Sequence, residues 1–204
     1  GGAISGNIIT VKNSNFIDND VLGKGASIYA HGGLNVKDSN FNSPLADGTA
    51  IMHVVSYHND DVSLTNNTII SQLPAIENEG GRIVSPVKLT FNNANGVVGK
   101  NVVLTASLTD DNGNLIESSS PITGKINGAN VNFVYDSSSK KFVANYVPTV
   151  AGEFVISGNY TLATNCNVTN ATLNVSNASP TPKPVKPEHD GISVENNDSS
   201  VENS

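Results

Sequence analysis

The sequence predicts an all-β chain, with parallel coils in its first part and an antiparallel sandwich in its second. Three observations predict it. The segment ITVKNSNF at 9–16 returns as LNVKDSNF at 34–41 and, more loosely, as VSLTNNTI at 62–69. A shorter element precedes each copy and ends at Ile4, Ile28 and Ile51, with a further one at Ile76, so that it recurs at nearly equal intervals. After Pro86 this rhythm stops and turn signals arrive about every 8–12 residues.

In each long copy two apolar residues alternate with polar ones before an Asn or Asp corner and another apolar residue: Ile9, Val11, Asn13, Phe16; Leu34, Val36, Asp38, Phe41; Val62, Leu64, Asn66, Ile69. Period-two alternation in short runs bounded by Gly, Asn, Asp and Ser is the pattern of strands. Recurrence at this interval is the pattern of a solenoid, here a right-handed parallel β-helix over residues 1–86. Its inward stacks are expected to be Ile4 with Ile28 and Ile51, Val11 with Val36 and Leu64, and Phe16 with Phe41 and Ile69. Asn13, Asp38 and Asn66 are expected to form a polar ladder along one corner, where Asn and Asp tolerate left-handed dihedrals. A single coil cannot bury its own apolar face, so the stack needs a cap, and the following domain is the expected one.

GGAI at 1–4 followed by FIDN at 16–19 resembles the repeats of polymorphic outer-membrane proteins and of methanogen adhesin-like proteins. The resemblance runs from the start of the chain to the neighbourhood of Gly80 and weakens along the way: FNSP at 41–44 departs from Phe-x-x-Asn, and the third copy has no Phe. It implies a coil on a cell surface and names no partner.

Residues 87–177 read as a β-sandwich of the immunoglobulin-like kind. VVLTASL at 102–108 alternates, DDNGN at 110–114 is turn chemistry, and Asn127-Gly128 between ITGKI and VNFVY is a two-residue hairpin turn. About seven short strands in such a length match that architecture. Leu104, Ala106, Leu108, Phe133, Ala144, Tyr146, Phe154, Ile156 and Tyr160 are expected inside. GKNVVLTASLTDDNGN and FVANYVPTVAGEFVISGNY resemble the bacterial Ig-like repeats of invasin-type and archaeal surface proteins, which implies a spacer or presentation role. Residues 178–204, with four prolines at 180, 182, 184 and 187 and an acidic end, are expected to be a disordered tail. The chain opens inside a repeat and without Met, so it is read as part of a longer protein with further coils upstream.

Composition narrows the function classes. The net charge is −7 with a single arginine, Arg82, so no phosphate-neutralising surface is expected and nucleic acid is set aside. One cysteine, Cys166, excludes an internal disulfide framework and reads as a small residue in a loop. No apolar run approaches the ~20 residues of a membrane-spanning helix.

The segment HVVSYHNDD at 53–61 concentrates the chemistry-bearing side chains. Tyr57, His58 and Asp60 form a polar and aromatic patch suited to sugar contact. Asp60 and Asp61 are adjacent, so on a strand they would face opposite sides and could not flank one glycosidic bond. A zinc site from His53 and His58 lacks the three or four ligands that zinc takes. No metal, cofactor or catalytic residue is therefore assigned. Acceptor triplets Asn-x-Ser/Thr stand at Asn66, Asn159, Asn167, Asn170, Asn174, Asn177 and Asn197, and N-glycosylation is expected where parity turns Asn170 and Asn174 to solvent.

The expectation is a non-enzymatic, adhesin-like fragment, extracellular or at the cell surface, whose partners are glycans or surface proteins of another cell. Two alternatives stand beside it. One is the C-terminal part and accessory module of a β-helix carbohydrate-active enzyme, which would show stacked acidic or basic side chains on one outward coil face. The other is a structural stalk.

Overall fold

The computed structural model describes residues 2–179, all of them strand, turn or irregular, with no helix. The expected tail, apart from its first two residues, and the acceptor Asn197 lie outside the described residues.

The first part is a β-solenoid of about three turns, built as three parallel sheets. Sheet A stacks Ile4–Gly6, Ile28–Ala30, Met52–Val55 and Ile76–Glu79; sheet B stacks Ile9–Lys12, Leu34–Lys37, Asp61–Thr65 and Arg82–Ile83; sheet C stacks Asn15–Ile17, Asn40–Asn42 and Thr68–Ile70. The inward stacks of sheets B and C are those expected. Val11 pairs with Val36 and Val36 with Leu64, while Phe16 pairs with Phe41 and Phe41 with Ile69. The Phe16 and Phe41 rings lie parallel, with centroids 4.6 Å apart. Asn13, Asp38 and Asn66 sit at φ 48, 52 and 53°, the left-handed corner that their short polar side chains permit. The Asn66 amide donates to Asp38 Oδ1 at 2.8 Å, linking two rungs of that ladder.

Sheet A corrects one expected stack. Ile28 pairs with Met52, not Ile51, and Met52 with Ile76, so the interval is the same at every step from Ile4 to Ile76. The repeated Ala-Ile dipeptide misleads here. Ala26 N–H donates to Ala50 C=O and Ser27 N–H to Ile51 C=O, which places Ile51 opposite Ser27 and moves Met52 into the stack. Both Ile51 and Met52 are fully buried.

The second part is a nine-stranded sheet folded on itself. Val87–Phe91, Val102–Asp110, Lys141–Tyr146 and Cys166–Thr169 belong to one leaf. Ala94–Val97, Ile122–Ile126, Gly152–Asn159 and Ala171–Ser176 belong to the other. Ala129–Asp136 joins them, pairing its first half with Ile122–Ile126 and its last residues with Lys141–Tyr146. The leaves face one another: Phe91 meets Phe133 edge-on at 5.2 Å, and a Cβ at Gly158 would lie 2.8 Å from the Phe91 ring. Asn127 and Gly128, at φ 48 and 79°, make the expected two-residue turn. Leu104, Ala106, Leu108, Phe133, Ala144, Ile156 and Tyr160 are buried as expected, whereas Tyr146 and Phe154 are only partly so. Cys166 is in a strand, not a loop, half-buried and free.

The two parts share backbone ladders. Ile116–Ser118, lying between two strands of the folded sheet, pairs in parallel with Ile76–Glu79 as a fifth rung of sheet A. At sheet B, Ile83 N–H donates to Leu162 C=O at 2.7 Å and Thr164 N–H to Ile83 C=O at 3.0 Å. Near sheet C, the side-chain amides of Asn112 and Asn114 donate to Asn67 C=O. A buried polar knot ties the same junction: Asn78 Nδ2 donates to Gly81 C=O and to Tyr160 Oη, Gly81 N–H donates to Asn78 Oδ1, and Tyr160 Oη–H donates to Ser118 Oγ.

Asn78 is fully buried, so Asn78→Ala strands the Gly81 amide and is expected to cost about 1–3 kcal/mol in chemical denaturation, the range for orphaned buried polar groups. A fragment of residues 1–86 loses all three closures. It is expected to self-associate through the exposed Ile76 and Ile83 rungs, read by size-exclusion chromatography as a larger share of oligomer than the full chain gives.

Candidate functional site

Two side-chain groupings face outward on the solenoid. The first lies where the rungs of sheet B begin. There the turn Ser56–Asp60 leads from sheet A into the strand Asp61–Thr65, with Asn59 at φ 55°. Ser56 Oγ–H donates to Asp60 Oδ2 at 2.8 Å and accepts from the Asp60 amide at 2.9 Å, fixing the loop. Asp61 Oδ1 accepts from Arg82 Nε at 2.8 Å and Nη2 at 2.6 Å on the next rung. The two neighbouring carboxylates have different partners, but both line one groove: Asp60 lies in the turn before the strand, so the opposite facing expected for two strand neighbours does not separate them.

These groups border an open groove of about 510 Å³. Thr10, Asn35, His58, Asp60 and Arg82 reach it from four successive rungs of the stack. His58 and Asp60, two of the three patch residues read from the sequence, line it; Tyr57 does not, and stands 85% exposed beside His58. The groove offers donors and acceptors at the rung spacing of about 4.8 Å, with no deep apolar pocket.

The second grouping has no counterpart in the sequence reading. Along the outer row of sheet A the register brings Ser5, Tyr29, His53, Glu77 and Glu117 side by side. His53 is therefore parted from His58. It is completely buried, its ring 4.8 Å from the Tyr29 ring, and its Nδ1 lies 2.9 Å from Glu77 Oε2. Thr49 Oγ1–H donates to the same Glu77 oxygen, and the Lys24 ammonium binds both Glu77 and Glu79. Outward acidic side chains are thus stacked, Glu77 beside Glu117, the feature that the sequence analysis attached to the enzyme alternative. The missing signal is sequence distance: Glu117 lies far beyond Glu77 in the chain, off the repeat interval and inside a stretch that reads as sandwich.

The environments drive these two carboxyls apart. Burial pushes Glu77 up, but hydrogen bonds from His53 and Thr49 and the charges of His53 and Lys24 outweigh it and bring it down to about 2. Glu117 has no such donors, and burial together with the neighbouring Glu77 charge pushes it up to about 7. Burial also raises the Tyr135 phenol, whose buried hydroxyl has no hydrogen-bond partner. Glu117 and Tyr135 border a cavity of about 360 Å³ at the junction, with Thr49, Pro74 and Lys140.

The six described acceptor asparagines, Asn66, Asn159, Asn167, Asn170, Asn174 and Asn177, are all exposed. The turn at 110–114 has its own internal logic: Asp110 accepts from the Asn112 and Asn114 amides and the Asn114 side chain, which occupies both carboxylate oxygens.

Glu117 gives a pH dependence with a definite sign. The folded chain holds its proton up to about pH 7, and the unfolded chain releases it near 4.5, so stability falls as pH rises through that interval. Glu117→Gln is expected to raise the melting temperature at pH 8 by a few degrees and to leave it unchanged at pH 4.5. Glu77 acts oppositely: its contribution is present above 4.5 and lost as pH falls towards about 2.

No protein-family model matches this chain, and no curated protein matches it. Among solved structures it is similar to two crystal forms of the titin M10–obscurin-like 1 Ig complex, one of them a mutant. Both matches are 13% identical, cover 47% of this chain and 98% or 99% of the other, and have TM-scores of 0.31 and 0.29. None of the described residues forms a helix long and apolar enough to cross a membrane.

Proposed function

We propose that this chain is a non-enzymatic, adhesin-like cell-surface fragment: right-handed solenoid coils present an open groove of mixed polar and apolar lining to glycans or to surface proteins of another cell, and an Ig-like domain serves as cap and spacer. The observation that carries this reading is the groove at His58 and Asp60, which draws polar side chains from four successive rungs. Carbohydrate recognition needs many donors and acceptors on a shallow surface, with an aromatic face nearby. Tyr57, at 85% exposure, supplies that face next to His58. Each contact is weak. Repetition along the stacked rungs raises the total by avidity.

The rival, a carbohydrate-active enzyme, draws on the stacked Glu77 and Glu117. Hydrolysis by paired carboxylates requires both to flank the scissile bond. Glu77 is only 9% exposed and is engaged by His53, Thr49 and Lys24, so it has little surface left to offer a sugar. This favours binding over turnover. The exposed acceptors, several of them crowded between Asn159 and Asn177, fit an extracytoplasmic setting and a glycosylated surface.

Saturable binding of the full chain to a subset of a glycan array, or to intact cells, is the expected result. Tyr57→Ala and His58→Ala are expected to weaken it about tenfold or more without lowering the melting temperature, since both side chains are exposed. A folded chain that binds no glycan and no cell would leave the stalk as the function. Intact-mass measurement of the native protein is expected to show added sugar, and peptide mapping to place it on the exposed acceptors.

A further inference from the structure

The outward row of sheet B carries a gap at its second rung. Ile9, Leu34 and Val62 pair and point inward, so the residues before them, Ile8, Gly33 and Asp61, fall on the outward row, and Arg82 continues it beside Asp61. Gly33 has no side chain, which leaves Ile8 and Asp61 two rungs apart, about 10 Å at the strand spacing. A Cβ at Gly33 would lie 3.7 Å from Ile8 Cγ2 and 3.3 Å from the Asp61 C=O, between the two. All four residues line the groove of about 510 Å³. The gap thus has a buried backbone floor, an apolar wall at Ile8, which is 80% exposed, and a charged wall at Asp61 and Arg82.

The polar groups left over around this gap are chiefly acceptors. Asp60 Oδ2 takes the Ser56 hydroxyl, and Asp61 Oδ1 takes both Arg82 Nε and Nη2. Among the described residues the second oxygen of each carboxylate accepts no hydrogen bond. Asp60, Asp61 and Arg82 together leave one net negative charge, with His58 counted as neutral. The side edge of the guanidinium, which can clasp a carboxylate in two parallel bonds, is already spent on Asp61. A peptide cannot be held here by strand addition, which needs a free sheet edge. The backbone of the floor is committed along the stack, Ile9 N–H donating to Gly33 C=O at 3.0 Å and Arg82 N–H to Asp60 C=O at 2.9 Å.

We propose that the gap at Gly33 is the specificity-determining subsite of the groove and takes one hydroxyl-rich sugar ring without an acidic group, its C–H edge against Ile8 and its hydroxyls donating to Asp60 and Asp61. On the reading of the groove as a glycan surface, which this extends, the gap decides which glycans are held. Ionised carboxylates only accept, so the ligand has to bring the donors, as sugar hydroxyls do. The ring also covers Ile8, an apolar side chain otherwise left in water. A uronic or sialic acid adds a negative charge where one is already in excess. One like charge at about 4 Å in water weakens binding about fivefold, and Arg82, held by Asp61, does not offset it.

For the test, the full chain is applied to a glycan array that carries neutral oligosaccharides beside their uronic acid and sialylated counterparts, and the bound pairs are titrated by calorimetry. The neutral member of a pair is expected to bind about fivefold tighter, a difference that shrinks at high salt. Gly33→Val, which fills the gap, is expected to weaken neutral binding about tenfold or more. Its Cβ meets the Asp61 C=O closely, so Ile8→Asp, on an exposed side chain, is the second variant: it removes the apolar wall and adds a like charge, with the same loss and no change in melting temperature. Asp61→Asn, which releases Arg82 and cancels the excess charge, is expected to abolish or reverse the preference against acidic members. Tighter binding of acidic members by the wild type would overturn the proposal. So would unchanged affinity in both Gly33→Val and Ile8→Asp where Tyr57→Ala lowers it, a result that leaves the glycan surface standing without its gap. No binding to any member by the folded chain would end the proposal together with the reading under it.

Discussion

A parallel solenoid generates one unpaired strand edge for every sheet it contains, and each such edge is both a loss of hydrogen bonding and a template for association. The rest of this molecule follows from how its downstream edge is closed. The second part does more than cover the last turn: it extends sheet A with Ile116–Ser118, answers Ile83 through Leu162 and Thr164, and supplies Asn112 and Asn114 to Asn67 C=O. These contacts come from two stretches far apart in the chain, 112–118 and 162–164. The closure therefore exists only once that sheet has formed, which couples the two parts in folding and stability.

The periodic part of this arrangement was legible in the sequence because it is local. Alternation at Ile9 and Val11, a corner at Asn13 and an apolar return at Phe16 fix one rung, and the copies at 34–41 and 62–69 fix the next two in register. The slip at Ile51 shows the limit of motif matching. In sheet A the repeated dipeptide is a weaker constraint than the constant spacing that keeps hydrogen bonds evenly stacked, so Met52 takes the inward place. Met is unbranched and fits such a position readily. In the sandwich, alternation located most of the core, but not which strand crosses between leaves. That is decided by pairing partners distant in sequence, as with the two halves of Ala129–Asp136.

The outer row of sheet A was illegible for the same reason. Four of its members, Ser5, Tyr29, His53 and Glu77, are evenly spaced and could be aligned, but the fifth, Glu117, breaks the interval and comes from much further along the chain. Adjacency of Glu77 and Glu117 is what drives their protonation apart, and no reading of either neighbourhood alone contains it. His53 was misplaced with His58 because the two stand close in the sequence. A strand followed by a turn sends the first to a buried outer row and the second to a solvent-facing corner.

The same division decides where a partner can bind. The sheet A row satisfies itself: Lys24 lies across Glu77 and Glu79, Thr49 and His53 take the remaining Glu77 oxygen, and Tyr29 covers the imidazole. A ligand arriving there would have to displace internal partners before gaining any contact. At the sheet B corner the polar side chains have few internal partners. Asp60 is anchored through one oxygen and Asp61 is matched by Arg82, while Tyr57 and His58 remain exposed. Desolvating those groups costs little beyond the water they already hold, and each returns a hydrogen bond or a ring face to the ligand. On the proposed reading, affinity at this corner would come from weak contacts added along the rungs rather than from a deep pocket.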